Sequence, residues 1–254
     1  MKARFLGTGV IVPTIRRGFP GLLVEVGEEL LLFDCGAGTV TRLTRLGHDV
    51  SGLKHVFLTH FHIDHVSDYL TLVKSRAFMG GGTLRVYGPE GLVEGSKRLF
   101  VEHPWFRYVS ETLRCFEYLE LREVFEGVVA RTDDWSVSCA PTAHYRGVAY
   151  RVDNGRGSLL YSGDTTLCDS LVRLGMNVDV AVLECSYSSR KSLRGHHLYP
   201  ESAAELAQRM KAKRLILTHL YPETEGKEQY MIDEIKQRFD GVVNIAEDLM
   251  EIEV

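Results

Sequence analysis

The sequence predicts a mixed α/β fold, arranged as a four-layer αββα sandwich that is built from two similar halves. Strand-like runs rich in β-branched and large apolar residues alternate with segments in which apolar residues return every three or four positions. Two internal echoes indicate the halves. If two β-rich halves pack face to face, the helices lie outside, and strand ends from both halves meet along one edge, where a site is expected.

The elements follow from these two periodicities. The strand-like runs are residues 22–26, 30–33, 55–58, 84–87, 128–131, 137–139, 148–152, 159–161, 178–183, 215–217 and 242–245. The helical segments are residues 40–46, 66–78, 92–100, 167–174, 201–211 and 228–239. No Pro- or Ser-rich linker or low-complexity segment interrupts them, so residues 1–254 are predicted to form a single domain.

The two echoes are short. KHVFLTH at 54–60 returns as KRLILTH at 213–219, and both are apolar runs that end in Thr-His. A weaker echo relates LLLFDCG at 30–36 to SLLYSGD at 158–164. Together they predict that equivalent strands of two halves end beside each other.

Composition excludes several classes of protein. The apolar opening is short and is broken by Gly7, Gly9 and Pro13, which fits neither a signal peptide nor a membrane span. Five cysteines without a C-x-x-C pair fit free thiols in a reducing compartment, so a soluble cytoplasmic protein is expected. The net charge of −4 gives no general attraction to nucleic acid.

The strongest local signal is the cluster His60-x-His62-x-Asp64-His65, which stands between an apolar strand and a helical segment. Imidazole nitrogen and carboxylate oxygen suit zinc or a similar divalent ion. Four such ligands crowd a single ion, so the cluster indicates two ions about 3.5–4 Å apart. For any one of these residues alone, a polar surface loop is the alternative.

Three later motifs extend this pattern: PTAH at 141–144, YSGD at 161–164 and LTH at 217–219. In this order the motifs resemble those of the metallo-β-lactamase superfamily, whose hallmark is H-x-H-x-D-H followed by a distant His, an Asp and a final His. The resemblance runs from residue 5 to residue 219. It implies the αββα sandwich that the echoes suggest.

The resemblance also implies a dinuclear site that holds two divalent ions, zinc in the first instance, with manganese or iron as alternatives. The implied ligands are His60, His62 and His144 for the first ion, Asp64, His65 and His219 for the second, and Asp164 as a bridge between them. A hydroxide between the ions would be the nucleophile, because coordination lowers the pKa of water from about 15.7 towards 7. Asp64 would orient that hydroxide or accept its proton.

Asp34 ends the run LLLF at 30–33 and is followed by Cys-Gly. The residues allow a turn in which Asp34 caps the loop. In the superfamily the corresponding Asp supports the ligand loop, and such carboxylates commonly orient ligating histidines.

Several segments look most similar to the ribonuclease Z-like phosphodiesterase branch. They are FLGTGVIVPTIRRG at 5–18, YGP at 87–89, the stretch from VLECS at 182–186 to GHHLYPESAA at 195–204, and LTHLYPE at 217–223. In that branch a Glu and a His act beside the leaving group, which implies that His197 donates a proton and Glu184 holds its ring. The neighbouring His196 leaves open which histidine takes this position. A salt bridge of Glu184 and an N-cap position of His197 are the structural alternative.

The resulting hypothesis is a hydrolase that acts on a phosphodiester, either a small or cyclic nucleotide or RNA. The alternatives are hydrolysis of carboxylic or sulfuric esters, lactones or thioesters at the same site, and a non-catalytic metal-binding module. Residues 92–128 contain no long basic or glycine-rich arm of the kind with which ribonuclease Z grips transfer RNA, so transfer RNA is a doubtful partner. The branch also implies a homodimer. The basic runs at 16–17 and 190–194 either bind phosphate or are solvated surface.

Overall fold

A computed structural model describes residues 1–190 and 197–254 of the chain. Within these residues, two seven-stranded sheets pack face to face, and helices cover the outer face of each sheet. The strands are β1 (Lys2–Gly7), β2 (Gly21–Val26), β3 (Glu29–Phe33), β4 (His55–Phe57), β5 (Leu84–Gly88), β6 (Leu119–Glu123), β7 (Gly127–Arg131), β8 (Ser136–Pro141), β9 (Val148–Asp153), β10 (Ser158–Tyr161), β11 (Val180–Glu184), β12 (Arg214–Thr218), β13 (Val242–Ile245) and β14 (Glu251–Glu253). The helices are α1 (Thr39–Arg45), α2 (Ile63–Val66), α3 (Tyr69–Phe78), α4 (Leu92–Lys97), α5 (Tyr108–Leu113), α6 (Asp169–Leu174), α7 (Pro200–Met210) and α8 (Glu228–Lys236).

The core consists of three layers of apolar side chains, one between the sheets and one beneath each layer of helices. Phe57 of β4 lies between the sheets, where its ring stacks on Phe33 and Tyr87 with centroids 4.9 and 4.7 Å apart. The preceding Val56 lies on the outer face, under the helices. Strands buried on both faces need apolar residues throughout, which explains the continuous apolar runs in the sequence. The predicted αββα sandwich is confirmed.

Both halves repeat one strand order. The first sheet runs β14-β1-β2-β3-β4-β5-β6 and the second β13-β12-β11-β10-β9-β8-β7. Strands β1 to β3 are antiparallel and β3 to β6 are parallel, just as β8 to β10 are antiparallel and β10 to β13 are parallel. The weaker sequence echo therefore pairs equivalent strands, β3 with β10. The stronger echo does not, because β4 lies beside β3 whereas β12 lies two strands from β10.

Three strands and two helices of the described residues lie wholly or mostly outside the predicted segments, namely β1, β6, β14, α2 and α5. Strand β6 has the sequence LELRE at the edge of the first sheet, where most of its side chains are exposed, and it is a strand because it pairs in parallel with β5. Strand β14 covers β1 at the other edge. There, the Glu251 carboxylate forms ion pairs with Lys2 and Arg4, each with an N···O distance of 2.9 Å. Tertiary pairing, and not an apolar pattern, makes these segments strands.

The helices differ from prediction mainly at their ends. The segment predicted at 92–100 is α-helical only to Lys97 and continues as a π-helical turn over Arg98–Glu102. The helix predicted at 201–211 is α7, and seven of its eleven residues are buried. Among the described residues, no helix combines the length and the apolar character needed to span a bilayer.

Candidate metal centre

The predicted metal ligands meet at one edge of the sandwich, where strands from both sheets end. His60 follows β4, and Asp64 and His65 lie in the short helix α2. His144, Asp164 and His219 follow β8, β10 and β12. The ligating atoms of His60, His62, His144 and Asp164 lie within 4.8 Å of one another, as do those of Asp64, His65 and His219. The structure thus brings together all seven residues, whose role as ligands stays a prediction.

The carboxylate of Asp164 lies between the two groups. Its Oδ2 atom is 3.6 Å from Nε2 of His60, and its Oδ1 atom is 3.3 and 3.2 Å from Nε2 of His65 and His219. Nε2 of His219 is also 3.5 Å from Oδ2 of Asp64. One carboxylate therefore reaches nitrogen atoms from both predicted groups, as a bridging ligand requires.

Asp34 holds two of the histidine rings in place. It is fully buried, and its Oδ2 accepts hydrogen bonds from Nδ1 of His65 (2.7 Å) and from the hydroxyl of Tyr161 (3.0 Å). The Thr59 hydroxyl donates to the same carboxylate (3.0 Å) and lies 3.0 Å from Nδ1 of His60. Since the Thr59 proton is already used, Nδ1 of His60 is the donor in that contact. Asp34 thus contacts the ligand loop, as expected from the sequence.

Glu184 forms a similar arrangement in the second sheet. The Ser186 hydroxyl donates to Oε2 of Glu184 (2.8 Å) and lies 2.9 Å from Nδ1 of His219, which therefore donates to it. Oε1 of Glu184 accepts a 2.9 Å hydrogen bond from Nδ1 of His197 and a 2.8 Å bond from the backbone of Thr165, next to Asp164. The predicted proton donor and a predicted metal ligand are thus held by one buried carboxylate.

The hydrogen bonds of the histidine rings indicate which nitrogen atoms can bind a cation. When the rings are neutral and Nδ1 is the donor, the Nε2 atoms of His60, His65 and His219 all present lone pairs to the centre. Those of His65 and His219 are only 3.2 Å apart. Nε2 of His60 and Oδ1 of Asp164 are buried and have no hydrogen-bonding partner among the residues that the structure describes. Converging lone pairs and carboxylates repel one another unless a positive charge lies between them, so the donor set fits divalent cations.

The electrostatics agree with this fit. Burial, reinforced by neighbouring histidines, lowers the pKa of His60 well below its usual value, and burial lowers that of His144 to about 4. Both rings are therefore neutral near pH 7, as ligands must be. Burial disfavours the charged form of His65 as well, but Asp34 and Asp164 outweigh it and raise its pKa well above the usual value. The carboxylates therefore attract positive charge to the centre.

Sharp backbone turns aim these side chains. Asp34 and His219, each directly after a strand, adopt left-handed φ angles of 57° and 58°. Such a conformation costs a residue with a side chain about 1 kcal/mol or more, and strain of this kind is common at functional sites. Gly163 also has a positive φ, and a Cβ there would lie 2.6 Å from Cβ of Thr59. Glycine therefore allows the Asp164 loop to approach the His60 loop.

The basic residues at 16–17 and 190–194 were considered for phosphate binding, and the structure describes only some of them. Arg17 is buried, and its Nη1 donates to the Thr8 hydroxyl (2.8 Å) and to the carbonyl of Ala246 (2.6 Å), so it supports the loop beside β1. His196 and residues 191–194 lie outside the described residues. His197 is therefore the histidine seen to contact Glu184.

The hydroxyls of Thr59, Ser186 and Tyr161, which contact the two buried carboxylates that hold the histidine rings, were not predicted from the sequence. A signal existed for two of them, since Thr59 directly precedes His60 and Ser186 stands two positions after Glu184.

Comparison with known proteins agrees with this geometry. Residues 30–220 match the model of the β-lactamase superfamily domain. A ribonuclease Z of Mycobacterium sp. (strain KMS) is 32% identical, over 100% of this chain and 96% of that protein. Among solved structures, the metallo-β-lactamase fold protein YhfI from Bacillus subtilis is 24% identical, with a TM-score of 0.83 over 100% of this chain and 99% of the other. The short form of human tRNase Z is 22% identical, with a TM-score of 0.79 and the same coverage. The chain belongs to the β-lactamase superfamily and has the metallo-β-lactamase fold.

Proposed function

We propose that the chain is a metal-dependent hydrolase of phosphodiesters that holds two divalent ions, zinc in both positions. One observation carries the proposal: seven His and Asp side chains converge at the strand ends, with the Asp164 carboxylate 3.2–3.6 Å from three ring nitrogens. Structural zinc sites are generally closed by four ligands, whereas seven ligands for two ions leave positions for water. Similarity over the whole chain to proteins named ribonuclease Z supports phosphodiesters as the substrate class.

The ions and three side chains have different roles in the proposed hydrolysis. When bound, the two ions supply a water of lowered pKa as the nucleophile and neutralise charge on the phosphate. Asp64, whose carboxylate lies 3.5 Å from His219, orients that water and accepts its proton. Glu184 holds Nδ1 of His197, which leaves the Nε2 atom to donate a proton to the departing oxygen.

We propose a small phosphodiester or nucleotide as the substrate, and not transfer RNA. Residues 92–128 form α4, α5 and β6 together with short helical turns, and Phe100, Val109 and Cys115 are buried against the first sheet. This segment is therefore committed to packing. The net charge of −4 also opposes a long polyanion.

Turnover of bis(p-nitrophenyl) phosphate by the metal-reconstituted protein tests the proposal, beside p-nitrophenyl acetate and a thioester and with a metal-free control. We expect metal-dependent cleavage of the phosphodiester and its loss in Asp164→Ala. Asp133→Ala, which removes an exposed carboxylate in a loop, is the matched control and should retain activity. A preference for the acetate or the thioester would assign the site to carboxylic substrates. Metal binding without any turnover would indicate a non-catalytic module.

Metal analysis of the purified protein distinguishes zinc from manganese or iron, which the same donor set accepts. We also propose a cytoplasmic homodimer. All five cysteines are free, which suits a reducing compartment. Light scattering during size-exclusion chromatography measures the mass, and a monomer across the micromolar range would contradict the dimer.

A further inference from the structure

A cleft of about 500 Å³ opens beside the metal centre, between the ends of the two sheets. Pro89 and Val124, which follow β5 and β6, form one wall, and Pro141 and the turn between β8 and β9 form the other. His144 belongs to the lining, so the cleft is continuous with the predicted metal ligands. Its volume lies within the range of about 300–1,000 Å³ that is usual for small-molecule sites.

An aromatic ring stands exposed at this cleft. Phe125 lies between β6 and β7 and is 69% exposed. The loop is anchored, because the backbone N–H of the neighbouring Val124 donates to the carbonyl of Gly88 at 2.8 Å. An apolar ring that a fixed backbone presents beside two prolines suits a flat apolar group of a ligand.

The charges of the cleft limit what else it can hold. Arg146, two residues after His144, supplies the cation of the lining and forms no ion pair with any described residue. A Cβ at Gly91 would lie 3.8 Å from its Nη1 atom, so the guanidinium reaches across to the first turn of α4. The lining also contains two carboxylates, Glu90 and Glu123. The cleft therefore favours one negative charge near the metal centre and disfavours further phosphates.

We propose that this cleft binds the nucleoside-sized, uncharged group attached to the reacting phosphate, with Phe125 stacking on its base and Arg146 contacting the phosphate. The assignment rests on the proposed phosphodiesterase function and narrows its substrate to a phosphodiester that carries a nucleoside. A longer polynucleotide would bring additional phosphates against Glu90 and Glu123.

Two chromogenic substrates with the same leaving group test the assignment: thymidine 5′-(p-nitrophenyl phosphate) and methyl p-nitrophenyl phosphate. Stacking of one base on an aromatic ring contributes about 1–3 kcal/mol, so Phe125→Ala should lower kcat/KM for the thymidine substrate about tenfold, mainly through KM. The methyl substrate should be unaffected. Trp105→Ala, at a 77% exposed aromatic residue outside the cleft, is the matched control and should alter neither substrate.

Arg146→Ala should lower kcat/KM for both substrates by a similar factor, because both carry the phosphate. Arg156→Ala, in the exposed turn between β9 and β10, is its control. An equal effect of Phe125→Ala on the two substrates, or none, would overturn the assignment.

Calorimetric binding of thymidine 5′-monophosphate adds a readout that is independent of turnover, and Phe125→Ala should weaken it about tenfold. If binding depends on Phe125 but no phosphodiester is hydrolysed, the proposed function fails and the cleft assignment survives. If hydrolysis proceeds but neither binding nor kcat/KM depends on Phe125, only the cleft assignment fails.

Discussion

Replacing Asp34 by Asn removes one charge from beneath the metal centre with almost no change in size. Oδ2 of Asp34 accepts from two donors, Nδ1 of His65 at 2.7 Å and the Tyr161 hydroxyl at 3.0 Å, while Oδ1 accepts from the backbone of Thr59 at 2.8 Å. An amide has one accepting oxygen. In either orientation of the amide, its NH₂ group therefore faces a donor that it cannot satisfy.

Asp34→Asn should therefore weaken metal binding. Loss of a carboxylate that orients a ligating histidine typically weakens metal binding 10- to 100-fold, or about 1.4–2.8 kcal/mol. We expect this loss at the ion that is assigned to His65. Competition of the metal-free protein with a chromophoric zinc chelator measures both affinities, and urea unfolding of the same sample shows whether the variant is folded.

Asp248→Asn is the matched control. Asp248 also accepts several hydrogen bonds, from the backbone and hydroxyl of Thr8 at 3.0 and 2.8 Å and from the backbone of Gly18 at 2.7 Å, but it contacts none of the predicted ligands. Its replacement should lower stability and leave zinc affinity unchanged. A folded Asp34→Asn protein with wild-type affinity at both positions would refute the role assigned to Asp34.

Three further predictions follow from the hydrogen bonds and the burial. Ser186→Ala removes the hydroxyl between Glu184 and His219 and should weaken zinc binding about tenfold in the same competition assay. Ser186→Thr keeps the hydroxyl and should retain the zinc affinity of the wild type. His197→Ala should lower kcat for dialkyl phosphates about 100-fold or more but should lower it much less for p-nitrophenyl esters, whose leaving group needs no proton, and equal losses would contradict proton donation. Burial lowers the pKa of His55 from 6.5 to about 4, so the unfolded chain binds a proton at this residue more tightly than the folded protein does. The free energy of unfolding is therefore unaffected by the protonation of His55 above pH 6.5 and decreases as the pH falls towards 4. Urea unfolding of the metal-free wild type should therefore show a loss of about 2 kcal/mol between pH 8 and pH 5 relative to His55→Phe, and a constant difference between the two proteins would contradict it.

Much of the fold is readable because the signals are local. All eleven predicted strand runs overlap observed strands, since parallel strands buried on both faces, such as β4 and β11, must be apolar over their whole length. The interpretation of residues 1–254 as one domain stays a prediction. The strand LELRE escaped detection because pairing with β5, and not its own composition, makes it a strand.

The sequence by itself predicted the chemistry of the centre, because four of the seven predicted ligands fall within six consecutive positions, 60–65, at the end of one apolar strand. Only the tertiary structure decided how these ligands are held. Ser186 and His219 are 33 residues apart, and Asp34 and Tyr161 are 127 apart, yet each pair is joined by a hydrogen bond. An apolar strand and the ligand cluster that follows it are visible in the sequence because their residues are neighbours along the chain. A hydrogen bond between distant residues, in contrast, forms only after both sheets have packed and their strand ends meet.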